Sequence, residues 1–238
     1  MNQKPLPESA GYDDKPASLL IVVDTETTGL PPNPDVRPLQ VGAVAFDMRT
    51  GAEISEFNVL LRPDVWAKGY RNAQKIHGIS RLMAETNGVG MCAGYEKFGG
   101  WLRNLTENRP WRGGSHFLSA WNSGFDRWVL ARWRAASYSW VADKAELAPW
   151  EAFSVGGYNA PNGCLQAAYR AWAKDMPNIR TPRYGSLSKA LSQFNLPNQS
   201  KKHDAVEDAR LAGLVWWSIE STFRKEMAEK QDNKGVSQ

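Results

Sequence analysis

The sequence has 238 residues, of which 42% are hydrophobic and 23% are charged. A chain of this length and composition can bury a full core, which argues against global disorder and predicts one medium-sized domain with tails or an insertion. The formal net charge is +4 and the sequence pI is about 9.0. This mild positive excess suits a polyanionic partner better than an acidic one. No apolar run is long enough to cross a membrane, so we expect no membrane association.

The predicted elements, in chain order, are strands followed mainly by helices. Strands are predicted at 18–26, 40–47, 53–61 and 115–121; helices at 93–107, 122–134, 163–174, 186–195 and 204–226, with short helical pieces in 64–90. A short turn joins the second and third strands, which predicts an antiparallel hairpin. The fold class is therefore α/β, a mixed sheet flanked by helices. We interpret 18–226 as the domain, with an insertion at 134–162.

The segments outside the predicted domain are polar. Residues 1–17 lack the apolar stretch of a signal peptide, so we expect a flexible leader. Residues 227–238 are expected to form a polar C-terminal tail. Cys92 and Cys164 stand in neither metal-binding nor redox spacing, so we expect free thiols in a reducing compartment and a cytoplasmic location.

The 11 tryptophans are an unusual number for this length. They could serve as stacking platforms for bases. Core packing is the commoner use of an aromatic side chain, and we favour it for most of them, as for the aromatics of the 134–162 insertion.

Two acids close the first strand, in the segment "VDTETTGL" that follows "LLIVV". Side chains alternate along a strand, so Asp24 and Glu26 emerge on one side and Thr25 on the other. Two carboxylates one pleat apart repel each other, and a proton or a cation must relieve them. The pair predicts a functional site at the end of a buried strand.

Two further acids each begin the apolar stripe of a helix. Asp126 precedes Val129, Leu130 and Trp133 at helical spacing, and Asp208 precedes Leu211, Ala212 and Val215. An acid in the first turn also favours the helix dipole, but that effect does not account for its place on the buried face.

The approach to the last helix contains a histidine. Asp204 and Glu207 have the spacing of a capping box with Asp204 as the N-cap, which gives those two acids a structural role. His203 then lies just outside the helix, five residues before Asp208, where it is free to act as a general base.

Four carboxylates thus converge from one strand and two helices. Four negative charges match two divalent cations, and oxygen ligands favour Mg²⁺ or Mn²⁺. Two such ions side by side are suited to in-line attack on a phosphodiester.

These residues resemble the motifs of a known family. "VDTETTGL", "AWNSGFDRWVL" and "HDAVEDA" are similar, in order, to the three motifs of the DEDDh 3′–5′ exonucleases, and "KIHGIS" is similar to a segment of the proofreading-type branch. The resemblance covers about residues 18 to 222. It implies a ribonuclease H-like fold with a five-stranded mixed sheet and helices on both faces. The residues themselves indicate only four strands. The fifth strand that the resemblance implies lies either near 146–155 or in an irregular segment.

The resemblance also implies roles for named residues. The metal ligands would be Asp24, Glu26, Asp126 and Asp208, and His203 would deprotonate the attacking water. Backbone N–H groups of Thr27, Thr28 and Gly29 would meet the terminal sugar and Leu30 would pack against the base, with His77, Asn122 and Phe125 completing the pocket.

Three functions remain open on the sequence. The leading one is a metal-dependent 3′–5′ exonuclease that releases nucleoside 5′-monophosphates, with single-stranded DNA as the favoured substrate. The first alternative is the same chemistry on RNA ends or short oligonucleotides. The second is a non-catalytic nucleic-acid-binding module. A polymerase partner is possible, but no segment after the domain indicates one.

Overall fold

The computed structural model describes residues 18–107, 116–137, 163–176, 185–199 and 201–235, with side chains described up to residue 229. The strands are β1 (Leu19–Thr27), β2 (Pro38–Asp47), β3 (Glu53–Arg62), β4 (Val89–Gly90) and β5 (His116–Ser119). The helices are α1 (Tyr70–His77), α2 (Arg81–Asn87), α3 (Met91–Glu107), α4 (Ser123–Ser137), α5 (Leu165–Asp175), α6 (Leu187–Gln193) and α7 (Ala205–Gly235).

The strands form one mixed sheet in the order β4-β3-β2-β1-β5. The β1–β2 and β2–β3 pairs are antiparallel, which confirms the predicted hairpin, whereas β4 and β5 run parallel to their neighbours β3 and β1. Strand β1 lies between β2 and β5, and both of its faces are buried in cores, which explains its uninterrupted apolar run "LLIVV". The sheet confirms the predicted five-stranded α/β fold.

Both faces of the sheet are covered. Alternate residues of β1 divide between two cores: Leu19, Ile21 and Val23 pack against α3 and α4. Leu20 and Val22 pack against α5, α6 and α7 on the opposite face. Several tryptophans belong to these cores, with Trp133 fully buried and Trp121, Trp172 and Trp216 nearly so. Packing is therefore the role of these four, as expected.

Some predicted boundaries differ from the structure. The strand that the sequence did not reveal is β4, a two-residue edge strand. The position considered for it, 146–155, lies outside the described residues. The 1–17 leader and most of the 134–162 insertion also lie outside them. Helix α7 continues to Gly235, beyond the predicted end at 226. Among the described residues, none of the helices combines the length and the hydropathy of a membrane span.

Candidate active site

The end of β1 places its acids as the alternation predicted. Asp24 and Glu26 are opposite Gly42 and Gln40 of β2 in the antiparallel register, on the sheet face that carries α7. Thr25 points to the other face, towards α4. Glu26 is 7% exposed and Asp24 is partly buried, so both carboxyl groups are largely removed from water.

Helix α4 brings Asp126 to the same strand end. Its carboxylate is 2% exposed and accepts a 2.9 Å hydrogen bond from the Thr25 hydroxyl. Val129, Leu130 and Trp133, which follow it at helical spacing, are buried in the core, as predicted. The apolar stripe therefore fixes α4 on the sheet and directs Asp126 towards β1.

The first turn of α7 supplies the fourth carboxylate, Asp208, which is 4% exposed. Asp204 caps this helix: its Oδ1 accepts hydrogen bonds of 3.1 Å from the N–H groups of Val206 and Glu207. The capping-box expectation is wrong for Glu207, because its carboxylate accepts a hydrogen bond from Arg210 instead of reaching back to the cap. Arg210 also pairs with glutamates of β3, which draws Glu207 away from the helix start.

His203 lies beside Asp208, with its Nδ1 3.0 Å from Asp208 Oδ2. Its backbone N–H donates to the Ile76 carbonyl over 3.3 Å, which ties the residue before the helix to the end of α1. The imidazole remains 42% exposed. The ring is therefore accessible from the pocket that it lines, as the ring of a candidate general base must be.

Burial raises the pKa of all four inward carboxyl groups. The pKa of Glu26 rises to about 8, chiefly through desolvation and then through the negative charges of Asp208 and Asp126. Desolvation also raises the pKa of Asp126 to about 7, against the opposing hydrogen bond from Thr25. The pKa values of Asp24 and Asp208 are raised for the same leading reason. The cluster therefore resists full ionisation unless a cation neutralises it.

The donor set fits a divalent metal. Ligand atoms of Glu26, His203 and Asp208 all lie within 4.8 Å of one another. Asp24 and Asp126 are not members of that group, although their charges act on the same carboxyls. Clustered carboxylate oxygens are the ligands that Mg²⁺ and Mn²⁺ prefer.

A pocket of about 480 Å³ opens beside these acids. Of the residues predicted to bind substrate, those in its lining are Thr27, Gly29, Leu30, His77, Asn122 and Phe125. Asp24, Glu26, Asp126 and His203 line it as well, and Asp208 adjoins it through His203. A pocket of this size is in the range for a small ligand, and it joins the acids to the predicted substrate residues.

Two predicted substrate residues have internal partners. Thr28 is fully buried and is not in the pocket lining; its N–H donates to the Arg37 carbonyl, and its hydroxyl accepts from the Arg37 N–H. His77 Nδ1 accepts from the Ile79 N–H, so its Nε2 must carry the proton and donate to the Thr27 carbonyl. Burial also lowers the pKa of His77. The polar groups of Thr28 and His77 are thus occupied by bonds within the protein.

The sequence did not reveal the contribution of α1 and the segment before it. The pocket lining includes Lys68, Asn72, Ala73 and Ile76. The Ile76 residue is 54% exposed, and Leu30, also in the lining, is 73% exposed. Lys68 adds a positive charge to the lining. The available signal was the spacing of Asn72, Ala73 and Ile76 on one face of a helix ending at His77.

The first part of the chain matches a known family model. The exonuclease family model (RNase_T) matches residues 21–108, which include Asp24, Glu26 and His77. Asp126, His203 and Asp208 lie beyond the matched segment. No curated protein sequence is significantly similar to the chain.

Several solved structures share the fold. Cell-death related nuclease 4 is 18% identical with a TM-score of 0.59, over 89% of this chain and 66% of that one. The E. coli ExoI–ssDNA complex in its zinc-bound form is 18% identical with a TM-score of 0.60, over 86% and 41%. The nuclease domain of 3′hExo, a DEDDh family member bound to rAMP, is 13% identical with a TM-score of 0.59, over 89% and 95%. The chain thus spans less than two thirds of the first two proteins.

Proposed function

We propose that the chain is a DEDDh-type exonuclease, which hydrolyses phosphodiester bonds from a free 3′ end and releases nucleoside 5′-monophosphates. The observation that carries this proposal is the meeting of Asp24, Glu26, Asp126 and His203 in the lining of one pocket, with Asp208 beside it. A non-catalytic binding module would have no need for acids from three separate elements gathered with a histidine beside one pocket.

The four carboxylates of Asp24, Glu26, Asp126 and Asp208 are the proposed ligands of two divalent cations, Mg²⁺ or Mn²⁺. Bound there, the cations would supply Lewis-acid activation of water and neutralise charge on the phosphodiester. Thr25 would hold Asp126 in place through its 2.9 Å hydrogen bond. The attraction of the cations would offset the free-energy cost of removing these carboxylates from water.

His203 is the proposed general base. With Nδ1–H donating to Asp208 Oδ2, the lone pair of Nε2 is available for a proton. His203 would take that proton from the attacking water as the new P–O bond forms. The bond that breaks joins phosphorus to the 3′ oxygen of the penultimate nucleotide, so the phosphate stays on the released mononucleotide.

The 3′-terminal nucleotide would occupy the pocket beside the acids. The exposed side chains of Leu30 and Ile76 would pack against the base at the mouth, and Phe125 and Asn122 would form the opposite wall. The closely fitted backbone at Thr27 and Gly29 would meet the sugar, and Lys68 would meet phosphate oxygens.

We propose single-stranded DNA as the substrate, with RNA as the alternative that the experiment must separate. The fold is shared with an ExoI–ssDNA complex over 86% of the chain, and equally with a 3′hExo domain bound to rAMP. The 2′-OH is the group that distinguishes the two, because an RNA enzyme bonds it and a DNA enzyme excludes it.

The test is a time course on matched single-stranded DNA, duplex DNA and RNA, each labelled in turn at its 3′ and 5′ ends. With Mg²⁺ or Mn²⁺, we expect the 3′ label to leave first as a mononucleotide and single-stranded DNA to be shortened fastest. Faster cleavage of RNA would select the alternative. Absence of nucleotide release from every substrate would leave a binding module as the better account.

A further inference from the structure

We propose that Gln40 and Gly42 of β2 are positioning residues, which together set the distance between the carboxylates of β1 and those of α7. Neither residue lines the pocket, and neither is a candidate ligand. The inference rests on the proposed function, because it concerns how the metal-binding and proton-accepting groups of that site are brought together.

Gln40 holds the start of α7 against the sheet. Its Nε2 donates hydrogen bonds of 3.0 Å to Asp204 Oδ2 and to Asn58 Oδ1, and its Oε1 accepts from the Ala205 N–H over 3.2 Å. The side chain is 8% exposed. Because both ends of its amide are used on the first residues of α7, Gln40 fixes the position and the orientation of that helix end.

Gly42 permits the close approach that Gln40 holds. A Cβ at this position would overlap the backbone of Ala205 and Val206, and would lie 2.5 Å from Val206 Cα. Backbone atoms of a capped helix cannot rotate away as a flexible side chain can, so any side chain at position 42 must move the first turn of α7.

The register makes these two contacts relevant to the site. Gln40 is opposite Glu26 and Gly42 is opposite Asp24, so the residues that seat α7 are the cross-strand partners of the two acids. His203 and Asp208 lie just before and within the seated turn. A shift of this turn therefore changes the distances from Asp208 and His203 to the β1 carboxylates.

The first experiment compares Gly42→Ala with Gly213→Ala. Gly213 lies farther along α7, and a Cβ there would overlap the ring of Phe46, which also belongs to β2. Each variant thus adds one methyl group to the α7–β2 contact, but only Gly42→Ala does so beside the acids. Melting temperature, kcat, KM for an oligonucleotide and the Mn²⁺ concentration for half-maximal rate are measured for both.

We expect both variants to melt at lower temperature. Gly42→Ala should also lower kcat by at least about tenfold and raise the Mn²⁺ requirement, with KM unchanged, whereas Gly213→Ala should keep the wild-type kcat and Mn²⁺ requirement. Equal kcat losses in the two variants, or a wild-type kcat in Gly42→Ala, would overturn the proposal.

The second experiment reverses the polarity of one hydrogen bond and stays informative if Gly42→Ala does not fold. In Gln40→Glu, two acceptors face each other at Asp204 and kcat should fall. Adding Asp204→Asn restores a donor–acceptor pair, since asparagine still caps the helix through its oxygen. Recovery of most of the lost kcat in the double variant is expected; no recovery would contradict the role of Gln40.

Direct metal binding separates this proposal from the proposed function. If the wild-type protein releases no nucleotide, the exonuclease assignment fails, and Mn²⁺ binding by calorimetry decides the positioning claim. Weaker binding in Gly42→Ala than in Gly213→Ala would support it, and equal binding would refute it.

Discussion

The Thr25 hydroxyl donates a 2.9 Å hydrogen bond to Asp126 Oδ1, which joins the middle residue of the "DTE" triplet to a helix 101 positions later in the chain. The strand therefore contributes to the site on both faces: Asp24 and Glu26 on the side of α7, and Thr25 on the side of α4. Thr25, the residue of the triplet that faces α4, thus orients an acid that belongs to another element.

Replacing Thr25 with valine tests this contact. The variant keeps the shape of the side chain and leaves Asp126 without its donor. Hydrogen bonds to charged groups contribute about 1.5–3 kcal/mol, so a loss of kcat of at least about tenfold is expected. Thr106→Val on α3, whose hydroxyl donates to helix carbonyls, is the matched control. Equal rates in the two variants would show that Thr25 does not support Asp126.

The raised pKa values predict how stability depends on pH in metal-free protein. Folding raises the pKa of Glu26 from its usual 4.5 to about 8 and the pKa of Asp126 from 3.8 to about 7. Between these pH limits the folded state retains protons that the unfolded chain has released. The free energy of unfolding should therefore fall as pH rises from about 3.8 to about 8, and then level off.

Thermal melts without metal from pH 5 to pH 8.5 check this dependence. Glu26→Gln removes one of the titrating groups and should flatten the slope. Mn²⁺ should raise the melting temperature more at pH 8 than at pH 5.5, because binding requires ionised carboxylates. A melting temperature in metal-free protein that rises across this range, with no flattening in Glu26→Gln, would contradict the predicted direction.

His203 and Asp208 are in contact, but we expect them to have different roles. His203→Ala should lower kcat by about 10²–10⁴-fold, the usual contribution of a general base, and leave Mn²⁺ binding nearly unchanged. Asp208→Asn should lose both activity and Mn²⁺ affinity. Single-turnover rates together with calorimetry distinguish the two variants. Loss of metal binding in His203→Ala would make His203 a ligand instead of a base.

The exposed apolar side chains at the pocket mouth predict an effect on substrate affinity. Leu30 is 73% exposed in the pocket lining, and Leu82 on α2 is 74% exposed outside it. Leu30→Ala should raise KM several-fold with little change in melting temperature, because the side chain has little protein packing to lose. Leu82→Ala, with equal exposure, should change neither. A normal KM in Leu30→Ala would remove it from the substrate contacts.

The sequence predicts the site where a local pattern carries the information. The alternation in "VDTETTGL" and the helical spacing after Asp126 are local, and both place their acids correctly. The two-residue strand Val89–Gly90 is too short to show a period, and it escapes prediction. Glu207 leaves its expected partner because Arg210, held by the glutamates of β3, competes for it.

Contacts between distant segments account for most of what the sequence does not show. Gln40 and Asp204 are 164 positions apart, and nothing within β2 marks position 40 as a partner of α7. Gly42 reads as an ordinary small residue in a strand until the helix backbone is placed against it. Thr28 belongs to the motif, yet its polar groups bond to Arg37.

We propose above all that the chain is a metal-dependent enzyme acting from the 3′ end, with a site formed by Asp24, Glu26, Asp126, His203 and Asp208. The most direct measurement is the identity and order of products from single-stranded DNA incubated with Mg²⁺ or Mn²⁺, with and without EDTA, for wild type and Asp24→Asn. We expect stepwise release of nucleoside 5′-monophosphates from the 3′ end, abolished by EDTA and by Asp24→Asn. Release that persists in EDTA or in Asp24→Asn, or that begins at the 5′ end, would contradict it.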